Sequence, residues 1–523
     1  MKRRTKVDQS LRERHGIVHL LKRVAEEAIT IAEMEEIGTT LQKSGRRALS
    51  PLVRRLWREK KGDVISRYAY LLDFFEDDSW LDELIRMAVR RRDLEEEGKT
   101  AILGALEGCG VDVTAPPFSR LLEEIGAPLA ARLPRLLDRG DEGLLVFVEE
   151  VLTQSPAGRG AIVAALPGVA DPRVVLLLEL LLGVEDDALR REVVAALGRT
   201  RSPAAARILA ALDTRQENGL GALVERSRRR LAFLGIHAEE MPEATPFLPF
   251  HATCASPVDG AGDRVLWLAR PTADGRLAAI YFQLHEHAGV QAVWGSSSLT
   301  AEECDKHQAA LSCEEGAVPV PAGYAVRLLR DALHRSREQG TVLPPEFYVW
   351  RRYLAPEEVH PLPYVPEFPG YDRLRLAGAP WLGRGSETLL DDDCFAGWLL
   401  ANHRVYDLAE EWLGLEQRHD GPQLAHGVEA IVKRFCHELL EPQLEQLQAR
   451  LLLAADFMAQ TGRERHLVAR TLAVAENLVR PRGVAPYHPF LRRLALESLD
   501  LAREALGEGY DLRREDDAGE EWD

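Results

Sequence analysis

The side chains with the clearest potential for chemistry in this sequence are two histidines and a Cys–His pair in the middle of the chain. His285 and His287 are two positions apart, so on a β-strand both would point to the same face. Cys304 and His307 are three positions apart, so on a helix they would share a face. Two ligands from a strand and two from a helix would suit tetrahedral zinc. The spacing matches no recognised zinc motif, so surface histidines and a buried helical cysteine, with no cofactor, are the simpler interpretation.

A second group of candidate residues is basic. Residues 46–61 contain seven basic side chains and a single acid, Glu59. A helix that begins with Ser50 as N-cap and Pro51 at its first position would have one apolar face and one basic face. The basic residues assigned to partner binding are Arg54, Arg55, Arg58 and Lys61. They would suit an acidic partner, RNA or an anionic membrane surface, whereas a solvated face of the first helical repeat is the simpler interpretation.

The histidines and cysteine need a strand and a neighbouring helix to bring them together, and the sequence predicts both. Asp274-Gly275 is a strong hairpin signal between two alternating apolar runs. Thr300 and Glu303 form a capping-box pair, which predicts a helix that carries Cys304. A second helix is predicted over 321–339. The predicted strands are 265–270, 277–285, 290–294 and 317–320, which together indicate a small α+β domain with an antiparallel sheet.

The N-terminal half is predicted to be helical and repetitive. Apolar residues at helical spacing predict one long helix over 17–43, and further helical hairpins follow to about residue 236. Residues 163–181 align with 194–212 at an offset of 31, with seven identities in nineteen positions. Repeats of this length indicate stacked units that cannot bury their apolar faces alone.

The repeated segments resemble the short HEAT-like repeat of the bilin-lyase type. The resemblance is carried by Asp171-Pro172, Leu177-Leu178, Leu180-Leu181, Leu189-Arg190 and Ala195-Ala196-Leu197-Gly198. It is good over 160–212, extends over about 50–236 and is absent beyond. It implies an α-solenoid, a fold that usually serves as a protein-interaction scaffold but also carries enzymes. One such enzyme, deoxyhypusine hydroxylase, binds iron through His-Glu pairs in its repeats, whereas His285-Glu286 and His437-Glu438 lie outside the repeats here.

The predicted fold class is mainly α, with a HEAT-like solenoid, a small α+β domain and a C-terminal helical bundle or array. The predicted boundaries are 1–236 for the helical repeats, 237–250 for a linker, 251–355 for the α+β domain, 356–390 for a Pro/Gly-rich connection, 391–507 for the C-terminal helices and 508–523 for an acidic tail. The C-terminal helices are predicted at 392–401, 403–415, 422–440, 442–461, 463–479 and 488–506.

Composition limits the class of protein. The chain has 523 residues, 46% of them hydrophobic, and a net charge of −17, so wholesale disorder and DNA coating are both disfavoured. The first 60 residues hold 15 basic and 8 acidic side chains, so nucleic-acid binding stays open only for that region. No apolar run reaches the length of a membrane span, and the six cysteines include no Cys-x-x-Cys pair. We therefore expect a soluble, cytoplasmic protein without a membrane span.

The functional hypothesis from sequence is a multidomain interaction scaffold that binds a protein partner, more consistent with a non-enzyme than with an enzyme. One alternative is a metal-dependent enzyme with its site in the α+β domain. Another is a nucleic-acid-associated protein that uses the basic N-terminal helices. Neither the partner nor a substrate is specified by any motif in the chain.

Overall fold

The computed structural model describes residues 16–25, 29–75, 80–91, 93–94, 96–118, 132–214, 220–238, 247–478, 485–511 and 513. The chain divides into two compact units, Met1–Thr245 and Pro246–Asp523, and the division falls within the predicted linker 237–250. The described part is mainly helical, as predicted, with a five-stranded antiparallel sheet in unit 2. Within these residues, no helix combines the length and the apolar character that crossing a membrane requires. Most of the predicted acidic tail lies outside the described residues.

The helices described in unit 1 follow one another through short connections. They are α1 (16–25), α2 (Ile31–Ser44), α3 (Arg46–Arg58), α4 (Gly62–Leu72), α5 (Leu81–Arg90), α6 (Glu96–Gly108), α7 (132–137), α8 (Asp141–Leu152), α9 (Pro156–Ala165), α10 (Val174–Leu182), α11 (Asp187–Leu197), α12 (Pro203–Thr214) and α13 (Gly221–Phe233).

Two helix starts in unit 1 differ from the sequence prediction. The single helix over 17–43 is wrong, because Thr30 and Glu33 form a reciprocal capping box that starts a separate α2. Helix α3 begins at Arg46 instead of Pro51, because the Gly45 carbonyl already accepts from Ala48 and Leu49 at 2.9 and 3.1 Å. Gly45 has a positive φ of 52°, which lets the chain reverse sharply between α2 and α3.

The later helices of unit 1 make contacts in two series. Helices α8, α10 and α12 contact one another in order, and α9, α11 and α13 do the same. Arginines also join successive helices: Arg55 donates to the Leu21 carbonyl at 3.2 Å, and Arg91 donates to the Leu56 and Trp57 carbonyls at 3.3 and 3.2 Å. These carbonyls lie at or near the ends of helices α1 and α3, where they have no partner within the helix.

The sheet of unit 2 has the order β4-β3-β2-β1-β5, with every pair antiparallel. The strands are β1 (Ala252–Ala255), β2 (Asp263–Pro271), β3 (Leu277–His285), β4 (Gly289–Leu299) and β5 (Val318–Pro319). The predicted strand 277–285 and its hairpin are confirmed, and β1 was not predicted. The sheet carries one helix, α14 (Ala301–Glu314), over the face that contains Trp267 and Tyr281. Two others, α15 (Ala322–Gln339) and α16 (Pro345–Trp350), contact the sheet as well.

The C-terminal helices belong to the same compact unit as the sheet. They are α17 (Arg373–Ala377), α18 (Pro380–Gly383), α19 (His403–Glu416), α20 (Gly421–Phe435), α21 (Leu444–Gln460), α22 (Arg465–Leu478) and α23 (Pro489–Glu508). The predicted helix over 392–401 is wrong: only a short 3-10 turn forms, at Asp393–Phe395. The residues after it bond to the sheet region instead, because Trp398 Nε1 donates to the Val258 carbonyl at 2.9 Å and the Gly397 carbonyl accepts from Gly260 at 3.0 Å.

Candidate functional site

His285 and His287 lie at the β3–β4 turn. The Nδ1 atom of His285 accepts the backbone N–H groups of His287 and Ala288 at 3.2 and 3.0 Å. Its lone pair therefore holds the turn closed. His287 is exposed, and its Nε2 is 3.6 Å from a carboxylate oxygen of Glu286. Both histidines have a local structural explanation.

Cys304 and His307 share one face of α14, as predicted, but contact the middle of the sheet. Cys304 is buried in an apolar cluster with Cys254 and Trp267, and burial raises the pKa of its thiol. His307 Nδ1 is 2.7 Å from the Tyr281 hydroxyl. Burial raises the pKa of Tyr281 to about 12, so this hydroxyl stays protonated near neutral pH and the neutral imidazole accepts its proton.

The strand geometry separates the two halves of the predicted zinc site. Tyr281, which marks the position of His307 along β3, is four residues before His285. At the usual rise of a β-strand, this spacing is roughly 13 Å, far longer than two zinc ligands on one ion allow. Among the residues that the structure describes, no three His, Cys, Asp or Glu side chains are placed to hold a metal ion. The predicted four-ligand site is therefore not assembled.

The predicted basic face of α3 is split by the structure. Arg54 and Arg58 are exposed, and Lys61 is exposed just beyond the helix. Arg55 turns inward instead, where its guanidinium donates to the Leu21 carbonyl and lies 3.5 Å from the Tyr68 hydroxyl. Three of the four predicted residues are therefore available to a partner, and the fourth stabilises the packing of α1 against α3 and α4.

A more extended charged feature lies on the first contact series of unit 1. Helices α8 and α10 together carry five acidic and no basic side chains. We call these five residues the acidic surface: Asp141, Glu142, Glu149, Glu150 and Glu179. The sequence prediction described the array as mostly acidic but did not place these residues together.

The apolar pattern of the two helices explains why the acids face outward. Helix α8 buries Leu144, Phe147, Val148 and Val151, which recur at helical spacing, so Glu142 and Glu149 fall on the opposite side. Helix α10 is apolar almost all round and is covered by its neighbours, so that only Glu179 is exposed. Burial of the apolar residues thus determines where the acids lie.

Two members of the acidic surface pair with arginines from the segment before α8. Arg139 bonds to Glu142, and Arg132 bonds to Glu150. Glu150 is half-buried, and burial raises its pKa although Arg132 lowers it. Surface pairs of this kind contribute little to stability and exchange readily with other charged partners.

The second contact series has the opposite charge. Helices α9, α11 and α13 together carry seven arginines and three acids. Charge is therefore separated by helix series within unit 1, although the chain as a whole is acidic. Comparison with known proteins adds no relative: no protein-family model, no curated protein and no solved structure matches the chain.

Proposed function

We propose that this protein is an interaction scaffold in which the acidic surface of α8 and α10 binds a basic segment of a protein partner. The observation that carries the proposal is the separation of charge: five acids without a basic residue on one helix series, and an excess of arginines on the other. A surface of one sign steers an oppositely charged partner and disfavours partners of like charge.

The charge also selects the class of partner. Nucleic acids carry a high density of phosphate charge, and a surface of five carboxylates would repel them. A lysine- or arginine-rich protein segment would release bound counterions from the same surface. We therefore expect an affinity that falls as salt concentration rises.

The contact series also support the HEAT-like interpretation of unit 1. Each of the helices from α8 to α13 contacts its sequence neighbour, and members of each series contact the next member two helices on. This is the arrangement expected when hairpins stack, because each hairpin needs its neighbours to cover its apolar faces. Such arrays present long, regular surfaces to other proteins.

The test compares two double charge reversals in the full chain. Glu142→Lys/Glu149→Lys alters the acidic surface, and Glu302→Lys/Glu314→Lys makes the same change in charge at exposed positions of α14 in unit 2. Proteins captured from the source cells by the tagged wild type are identified, and each is then purified and titrated against all three chains.

The proposal expects a partner that the first variant binds at least tenfold more weakly and the α14 control binds as the wild type does. Its affinity should also fall between low and physiological salt. Equal binding by both variants, or binding insensitive to salt, would overturn the proposal. The same result would follow if no captured protein bound the purified wild type.

The exposed basic residues before α4 favour one second candidate, which is binding of an anionic polymer at the N-terminal helices. Arg54, Arg58 and Lys61 are exposed within one short stretch. A gel shift with single-stranded RNA at low salt tests it. Arg54→Glu/Arg58→Glu should abolish a wild-type shift, whereas Arg418→Glu/Lys306→Glu, the same charge change in unit 2, should not. No shift by the wild type would exclude this candidate.

A further inference from the structure

A group of buried polar side chains lies in unit 2, where the sheet meets the C-terminal helices. We call it the Arg264 cluster. It consists of Arg264 on β2, Tyr324 on α15, Tyr364 on the Pro-rich segment 361–369, and Asp456 on α21. Tyr364 donates from its hydroxyl to one carboxylate oxygen of Asp456 at 3.2 Å, which joins the segment to the helix.

Several polar atoms of this cluster are buried without a partner. Arg264 is 7% exposed, and Tyr324 and Asp456 are each 1% exposed. Among the residues that the structure describes, no acceptor is within hydrogen-bond reach of either terminal nitrogen of Arg264. The Tyr324 hydroxyl and the Oδ2 atom of Asp456 are unpartnered in the same sense. A buried charged group without a partner costs several kcal/mol, so the site strongly favours a molecule that satisfies it.

The cluster does not satisfy itself through an internal ion pair. Arg264 and Asp456 influence each other electrostatically, but their side chains form neither a hydrogen bond nor a salt bridge within the described chain. The Tyr324 hydroxyl is close to both: burial raises its pKa far above the ordinary value, and the charges of Arg264 and Asp456 act on it in opposite directions. A donor fork, a hydroxyl and a carboxylate oxygen therefore face a common region.

The unpartnered atoms specify the chemistry of a ligand. Two terminal nitrogens of one guanidinium match the two oxygens of a carboxylate. The Asp456 oxygen requires a donor, such as an amino or hydroxyl group, a short distance from that carboxylate. We propose that the Arg264 cluster binds a small 2-amino or 2-hydroxy carboxylate, with its carboxylate on Arg264 and Tyr324 and its amino or hydroxyl group on Asp456.

The surroundings provide a route from solvent and a further positive charge. Tyr364 is only half-buried and lies on a segment without helix or strand. Arg327 is exposed beside it, with its guanidinium carbon 5.3 Å from the centre of the Tyr364 ring and 5.8 Å from that of Tyr324. A cation at the rim of the site would attract an anionic ligand.

The test is isothermal titration calorimetry on the full chain with four probes: glycine, L-alanine, glycolate and L-lactate. We expect saturable binding by at least one of them. Acetate, which lacks the donor for Asp456, should bind about tenfold or more weakly than that probe, and ethanolamine, which lacks the carboxylate, should not bind. The absence of saturable binding by all four probes, as when water alone fills the site, would overturn the proposal.

Variants locate the binding to this cluster. Arg264→Gln should abolish the heat of binding, and Lys306→Gln, which removes one positive charge from the exposed face of α14, should leave it unchanged. Tyr324→Phe removes only a hydroxyl and should weaken binding about five- to tenfold, so it serves if Arg264→Gln does not fold. Wild-type affinity in Tyr324→Phe and in a folded Arg264→Gln would contradict the assignment.

Discussion

Arg450 on α21 and Glu286 in the β3–β4 turn form an ion pair in which each side chain is only 4% exposed. The Nε atom of Arg450 donates to Glu286 Oε1 at 3.1 Å, and Gln446 donates to the same oxygen at 3.0 Å. The guanidinium also donates to the carbonyls of Gly260 and Ala261. The pair therefore ties two loops of the sheet to a C-terminal helix, and it explains physically why both belong to one compact unit.

We expect Arg450→Met to destabilise unit 2 by about 3–5 kcal/mol, because it leaves the Glu286 charge buried without compensation. The double variant Arg450→Met/Glu286→Leu should recover much of that loss, since it removes the unpaired charge. Urea denaturation followed by tryptophan fluorescence measures the effect. If Arg450→Met unfolded at the same urea concentration as the exposed control Arg418→Met, the pair would not hold the unit together.

Arg55 and Arg54 are adjacent on α3 but should differ in their effect on stability. Arg55→Ala removes donors to the Leu21 and Val18 carbonyls, at 3.2 and 3.4 Å, and should cost unit 1 about 1–2 kcal/mol. Arg54 is exposed, and Arg54→Ala should change stability by less than about 0.5 kcal/mol. Urea unfolding monitored by circular dichroism separates them; equal midpoints for the two variants would refute the capping role of Arg55.

Two glycines with the same backbone conformation should respond differently to alanine. Gly289 and Gly275 both have a φ of 80°. A Cβ at Gly289 would overlap Ser336 and the Ala332 carbonyl on α15, whereas nothing lies within 4 Å of one at Gly275. Gly289→Ala should therefore cost at least about 3 kcal/mol, and Gly275→Ala only the backbone strain of about 1–2 kcal/mol. Thermal unfolding measures both, and similar melting temperatures would show that α15 does not pack against the turn as described.

His488, the N-cap residue of α23, should make stability depend on pH. Burial lowers its pKa from about 6.5 to about 4, so the folded state disfavours the charged imidazole. The stability linked to this group is present above pH 6.5 and is lost as the pH falls through 4, where the loss is about 3 kcal/mol.

His488→Gln should therefore lose less stability than the wild type between pH 7 and pH 4, measured by urea denaturation at each pH. His426→Gln, at an exposed position of α20, is the matched control and should follow the wild type. Parallel losses in all three chains would show that His488 does not titrate in this way.

Where the signals are local, the sequence was sufficient. The Asp274-Gly275 turn, the strand 277–285 and the capping box at Thr300 all formed as predicted, because each depends on residues a few positions apart. The separate start of α2 at Thr30 was also readable from its capping box, but the continuous apolar period concealed it.

Other features depend on contacts between distant parts of the chain. Residues 392–401 have a helical pattern, but Gly397 and Trp398 bond to residues near 260 instead, and this tertiary contact outweighs local propensity. The predicted zinc ligands are separated because His307 contacts the middle of β3 and His285 ends it. Both outcomes required the packing of one element on another.

The two surfaces of greatest functional interest differ in the same way. The acids of α8 and α10 and the repeat that carries them are local in sequence, so an acidic helical array was foreseeable, although its charge separation was not. Tyr364 and Asp456 are 92 positions apart, and no spacing rule relates them to Arg264 or Tyr324. Sequence determined which helices and strands form, because their signals act over a few residues. Only the tertiary structure brought the polar groups of the Arg264 cluster together, because burial of four different elements against one another places them there.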